Sequence, residues 1–239
     1  MSFTNAVLAV VYGLSMWSTT SSAAPPSDTL TVHITIEFDA AIKSTVSRAI
    51  ALREATAIWK PYDVELLWSD EQCDAALHLH VIVGGHAPGT VLDGSPAVLG
   101  TATVMGAGRA NGPIRISSEA IEWLLVHRPE TVPALHDQEF GLALGRVLAH
   151  EIGHVLLGTP TYHDSRGLMR ARIPIHELGR FDRGGLRLTA DSARRLRDQI
   201  SHVTETPAVE GSDDGISDTT VALVSERSAV RPVSCRRRS

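Results

Sequence analysis

Several residue types are scarce in this 239-residue chain, and each scarcity excludes a class of protein. The only cysteines, Cys73 and Cys235, form no Cys-x-x-C pair, so the sequence offers neither a thiolate zinc site nor a thioredoxin-like redox motif. A disulfide between them and two free thiols are both compatible with the sequence. Lysine occurs only at Lys43 and Lys60, and the formal net charge is -5, which argues against nucleic acid as a partner because phosphate contacts need a basic excess. No apolar run approaches the roughly 20 residues of a membrane-spanning helix, so stable membrane insertion is not expected.

The two ends of the chain differ in composition from its middle. An apolar run near the start is followed by small residues at Ser22 and Ala24, a pattern typical of a signal-peptidase site. Residues 1–24 are therefore predicted to be a signal peptide of a secreted or periplasmic protein; a disordered apolar leader is the alternative, because no Lys or Arg precedes the run. Residues 202–239 are polar and lack periodicity, which predicts a disordered tail. The segment 30–201 is long enough for one domain with its own core.

Hydrophobic periodicity in the middle segment predicts an α/β fold of the α+β type, with most strands early in the chain. Strands are predicted over 30–38, 64–68, 75–83, 98–104 and 113–117, and helices over 40–59, 118–127, 138–157 and 190–200. Ser118, Asp137 and Thr189 are the predicted N-caps of the last three helices, because their side chains can accept from free backbone N–H groups.

The longest predicted helix contains the segment His150-Glu151-Ile152-Gly153-His154. Histidines four residues apart project from one helix face, so both imidazoles can bind the same metal ion. Glu151 follows the first histidine, where a carboxylate can act as general base. A zinc ion in such a site keeps one position open for water, lowers the pKa of that water to about 7 and polarises the scissile carbonyl. The motif therefore predicts a zinc-dependent hydrolase of peptide bonds.

The residues around the motif favour a functional site. Leu144, Leu148 and Ile152 lie on the opposite side of the helix, which leaves the histidine side free to line a cleft. The alternative is a buried amphipathic helix with incidental histidines, but burying two imidazoles and a carboxylate without a shared partner is costly. His163 follows within reach of a returning loop as a candidate third ligand, and Asp164 is the alternative oxygen ligand.

The stretch from the first histidine to Met169 resembles the metzincin clan of zinc peptidases and, among them, the matrixins. The resemblance is carried by His150-Glu151-Ile152-Gly153-His154-Val155-Leu156-Leu157-Gly158, then His163, then Gly167-Leu168-Met169. It implies a mixed twisted sheet with an active-site helix and a C-terminal helix. It also implies that His150, His154 and His163 bind Zn²⁺, that Glu151 is the catalytic base, and that Met169 forms a hydrophobic floor. The segment 99–104 would then be the edge strand that binds extended peptide or protein substrate by β-augmentation.

The spacing departs from the usual pattern of the clan. Gly158 lies farther from His154, and His163 farther from Gly158, than in typical members. This longer loop is the reason that Asp164 stays open as the third ligand. Ala171 occupies the position at which some members have a tyrosine, so no tyrosine contact to zinc is expected there.

Two further features allow more than one interpretation. His78 and His80 share a predicted strand face and suggest either a second, structural metal or a solvated surface, which is favoured. Several arginines follow the motif; Arg170, Arg172 and Arg180 are candidates to contact substrate carboxylates, although surface ion pairs are the default interpretation. For the whole chain, the alternative to a peptidase is a non-catalytic zinc-binding domain that acts as a protein-interaction module. The presence of Glu151 favours the enzyme, because a structural zinc site needs no base.

Overall fold

The computed structural model describes residues 29–69, 75–85, 98–105, 109–127 and 133–205. The predicted signal peptide, both cysteines and nearly all of the predicted tail lie outside these residues. The strands are β1 (Leu30–Phe38), β2 (Val64–Trp68), β3 (Leu77–Val83), β4 (Gly100–Thr101), β5 (Val104–Met105), β6 (Arg109–Ala110) and β7 (Ile114–Ile116). The helices are α1 (Thr45–Trp59), α2 (Ser118–Val126), α3 (His136–Leu156), α4 (Ile175–Leu178) and α5 (Ala190–Glu205).

Five of the strands form one mixed sheet in the order β2-β1-β3-β7-β4. The first four run parallel, and β4 runs antiparallel to β7 at the edge. Helix α1 connects the parallel neighbours β1 and β2, as a crossover between parallel strands requires. The prediction of an α+β fold with a mixed sheet is therefore confirmed.

The hydrophobic core lies between this sheet and the helices α1 and α3. Val32 and Ile34 of β1 and Val81 of β3 are fully buried, and they belong to the same cluster as Leu144 and Leu148 of α3. The two helices approach closely because α3 has a glycine at the contact. A Cβ atom on Gly145 would lie 2.6 Å from the carbonyl oxygen of Ala51. This contact sets the distance between α1 and α3.

A buried arginine joins α1, α3, α4 and the segment after α4. Arg146 of α3 has no exposed surface, and its Nε donates to Glu54 Oε1 of α1 at 3.0 Å. Its Nη atoms donate to the carbonyl oxygens of Glu177, Leu178 and Asp182. The second oxygen of Glu54 accepts from Arg183 Nε at 2.7 Å. This cluster, which we call the Arg146 cluster, is satisfied by groups of the chain itself.

Two helix starts differ from the prediction because other residues supply the caps. Helix α1 begins at Thr45 and not near residue 40, since the Ser44 side chain accepts from the Ser47 N–H at 3.1 Å. Helix α2 is capped by Ser117, one residue before the predicted Ser118.

The start of α3 also differs from the prediction. It begins at His136 with no side-chain cap, and Asp137 lies inside its first turn. There the Asp137 carboxylate accepts from the Ser44 hydroxyl at 2.9 Å and links the starts of α1 and α3. Thr189 does cap α5 as predicted, accepting from the Ser192 N–H at 3.2 Å.

The predicted strand over 98–104 is two short strands. Gly100 and Thr101 pair with β7, whereas Val104 and Met105 pair with β6 in a separate two-stranded ribbon. The run of small and β-branched residues correctly predicts extended backbone. The change of pairing from β7 to β6 along this run depends on contacts between residues distant in sequence.

Helix α5 continues beyond its predicted end near Ile200 and includes residues up to Glu205. Nothing between Ile200 and Glu205 breaks a helix, and the next proline is Pro207. None of the described helices combines the length and the apolar character needed to cross a membrane.

Candidate metal centre

Three histidine side chains converge at the C-terminal half of α3. His150 and His154 extend from the helix, and His163 reaches them from the loop that follows. The ring centroid of His163 lies 5.6 Å from that of His150 and 5.0 Å from that of His154. The centroids of His150 and His154 are 4.8 Å apart. One nitrogen from each ring lies within 4.8 Å of the other two. Among the described residues, no other group of three potential ligands meets in this way.

Backbone carbonyl groups fix the orientation of both helix histidines. His150 Nδ1 lies 2.7 Å from the carbonyl oxygen of Leu168, and His154 Nδ1 lies 3.1 Å from that of Thr159. A carbonyl oxygen only accepts, so each Nδ1 carries a proton and donates it. In the neutral rings, both Nε2 atoms therefore present lone pairs. This is the usual arrangement of histidines that bind metal through Nε2.

The two Nε2 atoms face each other at 3.1 Å. Two lone pairs at this distance repel unless a cation lies between them. Zinc–nitrogen bonds of about 2.0–2.1 Å in a tetrahedral site place two ligand nitrogens about 3.3 Å apart, so the helix pair already has a suitable spacing. His163 is on an exposed loop segment, where adjustment is cheaper than within α3. The donor set therefore fits a zinc ion.

Burial keeps the helix histidines neutral. Loss of solvent lowers the pKa of both, and that of His154 falls to about 4; neighbouring imidazoles contribute in the same direction. A neutral imidazole is the form that binds metal. The three rings thus form a preorganised set of nitrogen donors.

Glu151 lies beneath the edge strand β4. It is 6 % exposed, and a Cβ atom on Gly100 would lie 2.7 Å from Glu151 Oε1. Burial raises the pKa of Glu151 to about 8 in the metal-free chain. A nearby cation favours the ionised form of a carboxyl group, so a metal ion bound by the histidines would lower the pKa of Glu151.

Met169 is fully buried against the motif helix. A Cβ atom on Gly153 would overlap the Met169 sulphur and would lie 3.3 Å from Trp59. Gly153 therefore allows the methionine to pack between the two histidine positions of α3. This is the placement expected for a hydrophobic floor.

Asp164 supports the loop of His163. Its carboxylate accepts hydrogen bonds from Tyr162 at 2.8 Å, Thr189 at 2.8 Å and Ser192 at 2.5 Å. These hydroxyl groups and Arg195 lower the pKa of Asp164 despite its partial burial. Both oxygens are already used, and Asp164 is absent from the group of converging ligand atoms. The geometry thus favours His163 as the third ligand.

The predicted histidine pair on β3 does not form a shared site. His80 Nε2 lies 2.8 Å from Glu37 Oε1 on the exposed sheet face. His78 turns instead toward His33 of β1, with 3.3 Å between their Nδ1 atoms. The favoured interpretation of a polar strand face fits this arrangement.

The arginines after the motif divide into two groups. Arg170 pairs with Glu177 and Arg194 with Asp191, as the default interpretation predicts. Hydrogen bonding to Arg170 holds the pKa of Glu177 below its usual range. Arg172 and Arg180, named as candidates for substrate contact, make no ion pair within the described part of the chain.

Sequence analysis missed the groups that orient the site. The acceptors at Leu168 and Thr159 are backbone carbonyls, which no residue type reveals. Gly100 was seen only as part of a strand, and its contact with Glu151 depends on the antiparallel pairing of β4. The cluster of hydroxyl residues around Asp164 had one visible signal, namely Thr189 as a helix cap.

Comparison with known proteins returned neither a matching protein-family model nor a matching curated protein. The likeness to the metzincins consequently depends on the motif residues and on the arrangement described above.

Proposed function

We propose that this chain is a zinc-dependent metallopeptidase of the metzincin type. The observation that carries the proposal is the convergence of His150, His154 and His163 next to Glu151, with the helix pair fixed so that Nε2 lone pairs face each other. Neither the polar strand face of β3 nor the Arg146 cluster brings three potential metal ligands together in this way.

Each group of the proposed site has a separate role in the reaction. Zinc, when bound by the three imidazoles, supplies a Lewis acid for the scissile carbonyl and a water of lowered pKa. Glu151, held against Gly100 and adjacent in sequence to His150, would act as the general base and would carry the proton to the leaving amine. Met169, fully buried against Gly153, excludes water from that side of α3.

The edge strand suggests a peptide as the substrate. Strand β4 is the last strand of the five-stranded sheet and pairs on one side with β7. Among the described residues, no strand pairs with its outer edge, and such an edge can accept an extended peptide by β-augmentation, through main-chain hydrogen bonds. Because Gly100 contacts Glu151, a peptide bound along this edge would pass the catalytic base. Export of the protein is part of the proposal and depends on the apolar run and small residues near the start of the sequence.

Zinc content and proteolysis test the proposal together. We expect about one zinc ion per purified chain by elemental analysis, and cleavage of an unfolded protein substrate that stops with a chelator and returns with added zinc. Glu151→Gln should keep the zinc and lose turnover by about 10²-fold or more. Asp198→Asn, an exposed change on α5, is the matched control and should retain full activity. Full activity in Glu151→Gln would refute the proposed mechanism.

A non-catalytic zinc-binding module is the second candidate, and one observation favours it. Glu151 is almost completely covered by β4, so the base has little access to solvent in this structure. Stoichiometric zinc without cleavage of any unfolded protein would support this module. His163→Ala would then lower zinc affinity, whereas His176→Ala, on an exposed side chain, would leave it unchanged.

A further inference from the structure

A cavity lies beside the turn that contains Leu168 and Met169. Its volume is about 380 Å³, and its charged lining residues are Arg166, Arg170, Arg187 and one carboxylate residue, Glu177. The start of α5, at Thr189 and Ala190, forms another part of the wall. The three histidines are not among the lining residues, so this cavity is distinct from the proposed metal centre.

The arginines of this cavity are incompletely paired. Arg166 and Arg187 make no ion pair within the described ranges, in contrast to Arg183 and Arg194, which contact carboxylates. Arg170 uses its Nη atoms to bind Glu177. Its Nε is buried and, among the described residues, has no acceptor. Within the described residues, the cavity thus has two arginines without a carboxylate partner, Arg166 and Arg187, while Arg170 and Glu177 neutralise each other.

The start of α5 is already occupied by an anion of the chain itself. The Asp164 carboxylate accepts hydrogen bonds from Thr189 and Ser192 at this helix end. The attraction of the cavity for a further anion therefore depends on the arginines.

We propose that this cavity binds an oxyanion, either inorganic phosphate or a phosphate or carboxylate group of a larger molecule. Planar guanidinium groups bind such oxygens with charge-assisted and often bidentate hydrogen bonds. The volume exceeds that of one phosphate group, so it also accommodates bridging water or a few further atoms of the ligand.

The bound anion would stabilise the segment that orients the metal centre. The Leu168 N–H donates to the Arg187 carbonyl at 3.0 Å, and the Leu168 carbonyl accepts from His150. An anion that joins Arg166 and Arg187 would hold both sides of this hydrogen-bonded turn. The binding claim itself does not depend on the proposed peptidase activity.

Titration calorimetry with inorganic phosphate tests the site in the zinc-loaded full chain, at constant ionic strength set with sodium chloride. We expect saturable binding that weakens about tenfold or more in Arg166→Gln and in Arg187→Gln, and that is lost in the double variant, because each removes charge-assisted hydrogen bonds. Arg172→Gln and Arg180→Gln remove the same charge from neighbouring surface positions and should change the affinity less than about twofold. Circular dichroism checks that each variant is folded.

Two outcomes would overturn the proposal. One is the absence of saturable phosphate binding at millimolar concentrations. The other is binding that Arg166→Gln and Arg187→Gln leave intact but that disappears with zinc, which would place the phosphate at the histidines.

Peptides distinguish the two sources of the anion. A short peptide containing phosphoserine or glutamate is compared with its serine or glutamine counterpart in competition with phosphate. Tighter binding of the anionic peptide than of free phosphate, sensitive to Arg166→Gln, indicates a group carried by a larger ligand. Displacement by phosphate alone, with no binding of any of the peptides, indicates free phosphate.

Discussion

Helix α3 holds two buried polar clusters about one turn apart, and they are completed in different ways. Around Arg146, the donors find acceptors in Glu54 and in backbone carbonyls of the chain. Around His150 and His154, only the Nδ1 atoms are satisfied, and the Nε2 atoms face each other. Burial of polar groups is expensive unless partners are present. The first cluster is therefore complete as folded, whereas the second has nitrogen atoms that could bind a cation.

The largest effect is expected from breaking the complete cluster. Arg146→Ala leaves Glu54 buried with one remaining partner, Arg183, and three carbonyl oxygens without donors. The free energy of unfolding should fall by about 3–5 kcal/mol, as for other buried ion pairs that lose one partner. Urea denaturation measures it, with Arg194→Ala in an exposed pair as the control. A loss below about 1 kcal/mol would show that the cluster is not structural.

Zinc should complete the other cluster and raise stability accordingly. At free zinc one hundred times the dissociation constant, the gain is about 2.7 kcal/mol. Thermal unfolding of the wild type with and without chelator measures this gain. His154→Ala should abolish most of the chelator effect, and His176→Ala should leave it intact. Equal chelator effects in both variants would place the metal elsewhere.

Gly100→Ala is expected to affect activity more than stability. The new methyl group would lie 2.7 Å from both Cγ and Oε1 of Glu151, so the side chain and its carboxylate must move away from Gly100. Turnover should fall by about 10²-fold, the contribution of a positioned base, with less than about 1 kcal/mol change in unfolding free energy. Peptide cleavage and urea denaturation measure the two quantities, and Thr101→Ala on the same strand is the control. Unchanged turnover would mean that Glu151 is not the base.

The smallest effect is expected at the support of the third ligand. Asp164→Ala removes the acceptor of three hydroxyl groups and should weaken zinc affinity about tenfold, as for other residues that orient ligands. Competition with a chromophoric chelator measures the affinity. Asp191→Ala, on the exposed face of α5, is the control. A zinc affinity equal to that of the wild type would indicate that the loop needs no such support.

The sequence predicts the parts of this molecule that depend on local pattern. Periodicity locates α3 and the spacing of His150 and His154, because one helix sets both. The strand over 98–104 was predicted as one element, since the change of partner after Thr101 is a property of the sheet. The orienting carbonyls of Thr159 and Leu168 were likewise invisible, because any residue type provides a carbonyl oxygen. The local sequence pattern thus identifies the histidine ligands, whereas contacts between residues distant in sequence determine how these ligands are oriented.

The contact between Gly153 and Met169 has a consequence for oxidative damage. Methionine sulfoxide carries an additional oxygen, and the sulphur of Met169 is fully buried against the glycine with no room for it. Peroxide can therefore reach this thioether only when the turn has opened. Loss of zinc binding during mild oxidation would measure how often that part of the chain opens, even under conditions in which the rest of the protein remains folded.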